Sequence, residues 1–168
     1  QPDGIWQVVY SGANWKNATD EDRYRRGLYT YWRRTSPYPS MESFDVPSRE
    51  FCVPRRIRTN TPLQALVTLN DPAFFEAAQA LAEQMVEVGS ENPTAGITRG
   101  FKVVLARTPS EAELNRLTEL FLDEAKRFKE DKEAAEKITG SKEAGPEHAA
   151  WVVAANVLLN LDETLTRE

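Results

Sequence analysis

The chain has 168 residues, of which 40% are hydrophobic and 28% charged, and its formal net charge is −5. These values are typical of one globular domain with an ordinary core, and no apolar run approaches the roughly 20 residues that span a bilayer. A single cysteine and a single histidine exclude an internal disulfide and leave few ligands for zinc or haem iron.

The charge is distributed unevenly along the chain. Residues 1–60 carry ten Lys/Arg and seven Asp/Glu, a net charge of +3, whereas residues 61–168 carry eleven and nineteen, a net charge of −8. Ten of the sixteen aromatic residues also lie in the first sixty positions. The sequence therefore predicts a basic, aromatic N-terminal arm (1–60) and an acidic body (61–168) packed into one structural domain.

The arm is predicted to be extended. Residues 5–11 (IWQVVYS) are rich in branched and aromatic side chains, which favours a strand. In residues 27–32 (GLYTYW), alternation would place Leu28, Thr30 and Trp32 on one face of a second strand. The expected arrangement is a small antiparallel β pair resting on a helical body, followed by an irregular, proline-rich segment at 37–54.

The body is predicted to be helical from Thr61 onward. Thr61 and Gln64 form a capping-box pattern for a short helix to about residue 69, and Asp71 and Pro72 begin a longer helix to about residue 88. A third helix is expected from residue 93 or 94 to Arg107.

Ser110 opens another capping box, for a fourth helix to about residue 132. Residues 126–145 are interpreted as the frayed end of that helix and a solvated loop. The fifth helix, residues 146–161, is apolar nearly all round, which is typical of a helix at the centre of a bundle. The fold class is therefore mainly α, with about five helices, an extended arm and its β pair.

Nine arginines crowd into residues 23–58 together with seven aromatic residues. Guanidinium groups and rings could bind an anionic ligand such as a sulfated or carboxylated sugar. The alternative is structural, because arginines can also satisfy carbonyl groups of irregular segments. The candidate ligand-binding residues are Arg33, Arg34, Tyr38, Arg55, Arg56 and Arg58.

No catalytic set is evident. Asp45, Glu50 and Asp71 are carboxylates in or beside the arm, and a pair of carboxylates could hydrolyse a glycosidic bond. Asp71 is already explained by capping, and for Asp45 and Glu50 the competing interpretation is a salt bridge to nearby arginines. His148 and Cys52 have no motif around them, so we predict no metal ligands.

Several long motifs resemble a known family. They are RRGLYTYWRRTSPYPSM, RTNTPLQAL, LNDP, the R-x-P-S-x-x-E pattern from Arg107 to Glu113, and the closing ANVLLNLDETLTRE. Together they resemble the planctomycete and verrucomicrobial PSD-one domain of unknown function. That resemblance implies the C-terminal part of an exported, periplasmic or cell-surface protein that also carries c-type cytochrome-like domains.

The resemblance carries no catalytic residues with it. The absence of a catalytic set favours a non-catalytic interaction or scaffolding module that docks on neighbouring domains of the same protein or on a polyanionic glycan. No cofactor is expected in this chain, although haem c is expected elsewhere in the full-length protein. The alternative is part of a carbohydrate-active enzyme completed by an upstream domain, whereas nucleic-acid binding is disfavoured by the small excess of positive charge.

Overall fold

The computed structural model describes residues 18–32, 37–48, 50–55, 57–141 and 144–166. The chain divides into two compact units, an N-terminal unit that ends at Val67 and a C-terminal unit that begins at Thr68. Eight α-helices lie in the described residues. The prediction of a mainly helical protein is therefore confirmed, although the sequence predicted only about five helices.

The predicted strand at residues 27–32 is wrong. Two short 3-10 helices, Glu21–Tyr24 and Gly27–Tyr29, occupy this region, and the described residues contain no strand. The backbone N–H groups of Tyr29 and Thr30 donate to the carbonyls of Arg26 and Gly27, 2.9 and 3.1 Å away. These local bonds satisfy groups that a strand would have paired with a neighbour. The other predicted strand, residues 5–11, lies outside the described residues.

A short helix also interrupts the segment predicted to be irregular. Helix α1 spans Pro39–Ser43 and begins with proline at its first position. Proline is favoured there because the first N–H groups of a helix have no intrahelical acceptor. The prolines of this segment suggested a loop because proline interrupts a helix when it lies inside one. At the first position of a helix, however, proline is favoured, and this explains α1.

The next four helices follow their predicted starts. They are α2 (Pro62–Asn70), α3 (Pro72–Gly89), α4 (Pro93–Leu105) and α5 (Glu111–Glu130). Asp71 caps α3 by accepting from the N–H of Ala73 at 2.9 Å, and Ser110 with Glu113 forms the complete capping box of α5. Local capping chemistry therefore determines where these helices begin.

The predicted loop at 126–145 instead contains helix α6, Lys132–Thr139, which ends at Gly140 with φ 68°. Asp131 ends α5 and also caps α6, since its carboxylate accepts from the N–H of Ala134 at 3.0 Å. The small residue Ala135 is 3% exposed and belongs to the hydrophobic core. Burial of this alanine distinguishes a packed helix from the solvated segment that the charged composition suggested.

Helix α7, Pro146–Leu159, forms the centre of the C-terminal unit, as predicted, and packs against α3, α4, α5, α6 and the short helix α8 (Asp162–Leu165). Phe121 stacks on Trp151 with ring centroids 4.2 Å apart. The close approach of α3 and α4 requires glycine, because a Cβ on Gly96 would lie 2.8 Å from the carbonyl oxygen of Met85. This core is closely packed.

Candidate functional site

The structure describes three of the six predicted ligand-binding residues. Tyr38 is half-buried, and its backbone carbonyl accepts the N–H of Met41 at 3.0 Å at the start of α1. Arg55 and Arg58 are both exposed. Arg33, Arg34 and Arg56 lie outside the described residues, so the proposed grouping of all six stays a prediction.

The first part of the basic, aromatic region, residues 20–29, is locally neutral. Asp20, Glu21 and Asp22 balance the three arginines at 23, 25 and 26. Arg25 forms an ion pair with Asp22 and lies 5.7 Å from the ring centroid of Tyr29. Much of the arginine and aromatic content here is therefore used in contacts between neighbours.

The second part has a different character. Residues 51–70 contain three arginines and no Asp or Glu. Arg55 is exposed, and its guanidinium forms no ion pair with a described carboxylate. The positive charge of this segment is therefore not cancelled within it, which is the electrostatic condition for attracting an anion.

Asp45 forms hydrogen bonds at the base of the loop 46–58, which contains the arginines of this segment. Its carboxylate accepts the backbone N–H of Thr59 at 2.7 Å, and the Thr59 hydroxyl lies 2.8 and 2.9 Å from its two oxygens. The side-chain amide of Gln64 is 3.4 Å from the same carboxylate and 3.2 Å from the Thr59 hydroxyl. We call Asp45, Thr59 and Gln64 the polar clamp.

The polar clamp is joined to helix α2. The backbone N–H of Thr61 donates to the Gln64 side chain at 3.0 Å, and the Gln64 N–H donates to the Thr61 hydroxyl at 3.3 Å. Gln64 is only 2% exposed. The predicted capping box is present, and its Gln64 side chain also contacts the Asp45 carboxylate. The sequence did not predict this second contact.

Asp45 itself has a left-handed backbone, with φ 58°. Such a conformation costs roughly 1–2 kcal/mol for a residue with a Cβ and is best tolerated by Asn and Asp. The hydrogen bonds of the polar clamp offset this cost. They fix residues 45 and 59 against each other and so close the loop 46–58 at its base.

The other candidate carboxylates are placed differently. Glu50 is exposed, and its backbone N–H lies 3.4 Å from the Ser48 hydroxyl. Asp71 serves as a helix cap, as predicted. The structure therefore gives Asp45 and Asp71 structural bonds and gives Glu50 a solvent-exposed position.

Metal-ligating residues do not cluster in the part of the chain that the structure describes. No group of three or more His, Cys, Asp or Glu residues there could hold a metal ion. His148 is half-buried in the first turn of α7, and Cys52 is exposed. Among the described helices, none combines the length and the apolar character needed to cross a membrane.

A second polar cluster lies in the C-terminal unit, where sequence reasoning found only a motif. Arg107 forms a two-pronged contact with Glu113, at 3.0 and 2.7 Å, and contacts Glu163 at 2.8 and 2.9 Å. Its guanidinium also lies 5.1 Å from the ring centroid of Phe101. The R-x-P-S-x-x-E motif therefore links the start of α5 to α8.

These contacts shift the acidity of the cluster. Hydrogen bonds from Arg107 and from the backbone and hydroxyl of Ser110 lower the pKa of Glu113 to about 2. A hydrogen bond from Arg107 also lowers the pKa of Glu163, and the two glutamates raise the pKa of Arg107. All three groups are accordingly charged at neutral pH, which suits a structural fastening and not proton transfer.

Comparison with known sequences and structures identifies a family but no individual relative. No curated protein and no solved structure gives a significant match. A family model matches residues 3–121, which is more than half of the chain and includes the polar clamp, the segment 51–70 and the Arg107–Glu113 motif. The chain belongs to the PSD1 family, described as a protein of unknown function (DUF1553).

Proposed function

We propose that this chain is a non-catalytic interaction module that binds a polyanionic glycan, sulfated or carboxylated, through the N-terminal unit. The observation that carries the proposal is the segment 51–70, which has no carboxylate and exposes Arg55 and Arg58. Guanidinium groups bind sulfate and carboxylate oxygens in two-pronged geometry, so exposed arginines in an acid-free stretch of sequence suit such a ligand.

The polar clamp supports this function by reducing the entropy lost on binding. Thr59 lies next to Arg58 and is held by Asp45 through backbone and side-chain bonds. Pro47 and Pro54 each fix their own backbone φ in this loop. A loop whose base is already fixed loses less conformational freedom when it binds its ligand.

Calorimetry with heparin, used as a soluble sulfated polysaccharide, tests the proposal. We expect binding that weakens as salt rises, because exposed charges are screened. Replacement of both Arg55 and Arg58 by Gln is expected to weaken binding at least tenfold. Arg26→Gln is the control, since Arg26 is exposed but belongs to the locally neutral residues 20–29, and it is expected to change affinity less than twofold.

Two results would overturn the glycan proposal. One is the absence of binding by a chain whose circular dichroism shows it to be folded. The other is an equal loss of affinity in the Arg26 variant and the Arg55/Arg58 variant, because that would indicate a general charge effect and not a site.

The wider setting that we propose is an exported protein in which this module stands beside cytochrome-like domains. Its support is the family resemblance of the sequence motifs. The intact gene product tests it directly: a leader peptide and an upstream C-x-x-C-H would place a c-type haem in the same polypeptide. Their absence from the full reading frame would remove the cytochrome association and the proposed periplasmic or cell-surface location.

A second candidate function is part of a carbohydrate-active site completed by a neighbouring domain. The observation in its favour is the left-handed backbone at Asp45, because strained residues concentrate at functional sites. Turnover of plain and sulfated glycans by the full-length protein tests this candidate. If Asp45→Asn and Glu50→Gln leave turnover unchanged, neither carboxylate takes part in the chemistry.

A further inference from the structure

The segment that carries the exposed arginines also exposes large apolar side chains. Phe51 is 69% exposed, Val53 39% and Ile57 76%. Arg55 and Arg56 lie between Val53 and Ile57 in the sequence, and Arg58 follows Ile57, so apolar and cationic residues occur together along one loop. We call Phe51, Val53, Arg55, Ile57 and Arg58 the loop strip.

A polyanionic glycan accounts for the arginines of the loop strip but not for its aliphatic side chains. A sulfated sugar can stack on an aromatic ring, whereas Val53 and Ile57 offer it neither a π face nor a hydrogen bond. Exposed apolar groups that are clustered and bordered by charge mark either a protein partner or a membrane surface. The strip therefore indicates a second kind of ligand.

The composition of the loop strip suits a lipid surface. Interfacial membrane binding needs only a few apolar side chains below the headgroups and cations level with the phosphates. Arginine can place its alkyl stem among apolar groups while its guanidinium stays at the phosphate level.

We propose that the loop strip binds the surface of an anionic lipid bilayer, with Phe51, Val53 and Ile57 inserted below the headgroups and Arg55 and Arg58 on lipid phosphates. Charge complementarity supports the anionic surface, because the loop 46–58 carries four arginines and one carboxylate, that of Glu50. The polar clamp holds the base of the loop in place. Such binding is peripheral, since only side chains of one loop enter the bilayer.

Vesicle cosedimentation of the whole chain tests the proposal. The probes are vesicles of phosphatidylglycerol mixed with phosphatidylcholine, and vesicles of phosphatidylcholine alone, both without glycan. We expect at least tenfold stronger binding to the anionic vesicles. Arg55→Gln is expected to weaken binding about fivefold, the usual effect of one arginine near an anionic surface.

Apolar variants separate lipid insertion from simple attraction of charges. Val53→Ser combined with Ile57→Ser is expected to weaken vesicle binding roughly tenfold or more, because both side chains leave water on insertion, while heparin binding stays unchanged. The matched control is Leu28→Ser. Leu28 is 81% exposed but lies in the neutral part of the arm, and its loss is expected to change vesicle binding less than twofold.

A dye on the single cysteine can report how deeply the loop strip inserts into the bilayer. Cys52 is exposed and lies between Phe51 and Val53, so an environment-sensitive dye on its thiol should shift to the blue with anionic vesicles and be quenched by spin-labelled lipid. The control carries Cys52→Ser and Asn115→Cys, which moves the dye to an exposed position on α5. This control is expected to show neither change.

Each remaining outcome contradicts the proposal. Equal binding to both vesicle types would show that lipid charge does not contribute to binding. Unchanged vesicle binding by the double serine variant would show that the apolar side chains do not insert. If vesicle-free protein forms dimers that the double serine variant abolishes, the loop strip is a contact between copies and not a lipid site. If the wild-type chain binds heparin but neither vesicle type, the lipid proposal fails and the proposed glycan function is unaffected.

Discussion

The two units of this chain are held together by different kinds of interaction. In the C-terminal unit, eighteen apolar residues from Ala78 to Leu158 form a buried core. In the described part of the N-terminal unit, Gln64 is the one buried residue, and the loop 46–58 is closed by hydrogen bonds. One unit depends on close packing, whereas the other depends on directional polar contacts.

This difference explains why binding is proposed for the N-terminal unit. A packed core leaves few large apolar groups for a partner, and the exposed ones there are scattered over several helices. A loop held at its base by polar bonds can present both cations and apolar side chains outward. Rigid placement of surface loops is the usual way in which proteins display binding residues. Substitutions in each unit can test whether the two units really differ in this way.

The largest effect is expected from Gly96→Ala in the C-terminal unit. An added Cβ would lie 2.6 Å from the Trp151 ring, 2.8 Å from the Met85 carbonyl oxygen and 3.0 Å from the Cα of Gly89. Two of these atoms are backbone and cannot turn aside, so helices α3 and α4 must separate. We expect a loss of about 3 kcal/mol in the free energy of unfolding, measured by urea denaturation.

Gly100→Ala is the matched control for that variant. Its added Cβ would meet Leu158 Cδ1 at 2.6 Å and Met85 Sδ at 3.0 Å, which are ends of flexible side chains. We expect a smaller loss, about 1 kcal/mol. Equal losses at the two positions would mean that backbone contact between α3 and α4 is not what limits packing.

Asp45→Asn should act on the N-terminal unit alone. The neutral amide keeps the tolerance for positive φ but weakens the bonds from Thr59, because hydrogen bonds to a charged acceptor are the stronger ones. We expect local opening of the loop to become easier by about 2 kcal/mol, seen as faster hydrogen exchange at residues 46–58 and faster tryptic cleavage after Arg55.

The control for this experiment is Glu42→Gln, on the exposed face of α1. It removes the same charge from the same unit without touching the polar clamp, and exchange at 46–58 should stay unchanged. Amides of α7 should exchange at their original rates in both variants. Faster exchange in α7 after Asp45→Asn would show that the two units do not respond separately.

Acid should weaken the C-terminal unit through Glu113. Its pKa in the folded chain, about 2, lies below the ordinary value of 4.5, so its contribution to stability is complete above about pH 4.5. That contribution is lost as the pH falls from 4.5 through 2. Glu113→Gln keeps an acceptor for Ser110 but removes the charge, so the thermal midpoint should depend less on pH in this range.

Glu111→Gln provides the control for the acid experiment, because Glu111 is exposed in the same helical turn and forms no ion pair with a described residue. Its midpoint should follow the wild-type pH dependence. If the Glu113 variant also follows the wild type between pH 4.5 and 2, the Arg107 cluster does not contribute to acid sensitivity.

The smallest effect is expected from Ala106→Gly, and it should be stabilising. Ala106 ends α4 with φ 56°, a conformation in which a Cβ is unfavourable and glycine is not. The gain is reduced because glycine also makes the unfolded chain more flexible. We expect a net gain of about 0.5 kcal/mol, measured by urea denaturation. A loss of stability would mean that the Ala106 methyl contributes packing that outweighs the backbone strain.

The helices were predictable wherever a local signal marks their start. Thr61 with Gln64, Asp71 with Pro72, and Ser110 with Glu113 each satisfy free N–H groups within one turn, so neighbouring residues suffice to identify them. Helix α6 was missed because its charged composition resembles a solvated segment. Only the burial of Ala135 against the core distinguishes the two.

The candidate site was predictable in composition but not in arrangement. Sequence reasoning selected arginines throughout the arm, yet the structure separates a neutral part, where Asp22 pairs with Arg25, from the acid-free part around Arg55. The sequence alone offers Asp45 as a candidate catalytic carboxylate. It forms hydrogen bonds with Thr59 and Gln64, 14 and 19 residues away. Its role is therefore to hold the loop 46–58 closed at its base.

The sequence by itself determined the helical class, the family and the starts of the main helices, because apolar spacing and capping act over three or four residues. Tertiary structure alone decided the polar clamp, the Arg107–Glu113–Glu163 cluster and the absence of a strand at residues 27–32. Glu163 is 56 residues from Arg107. Contacts over such separations depend on how helices pack, and no local pattern specifies which distant carboxylate an arginine will meet.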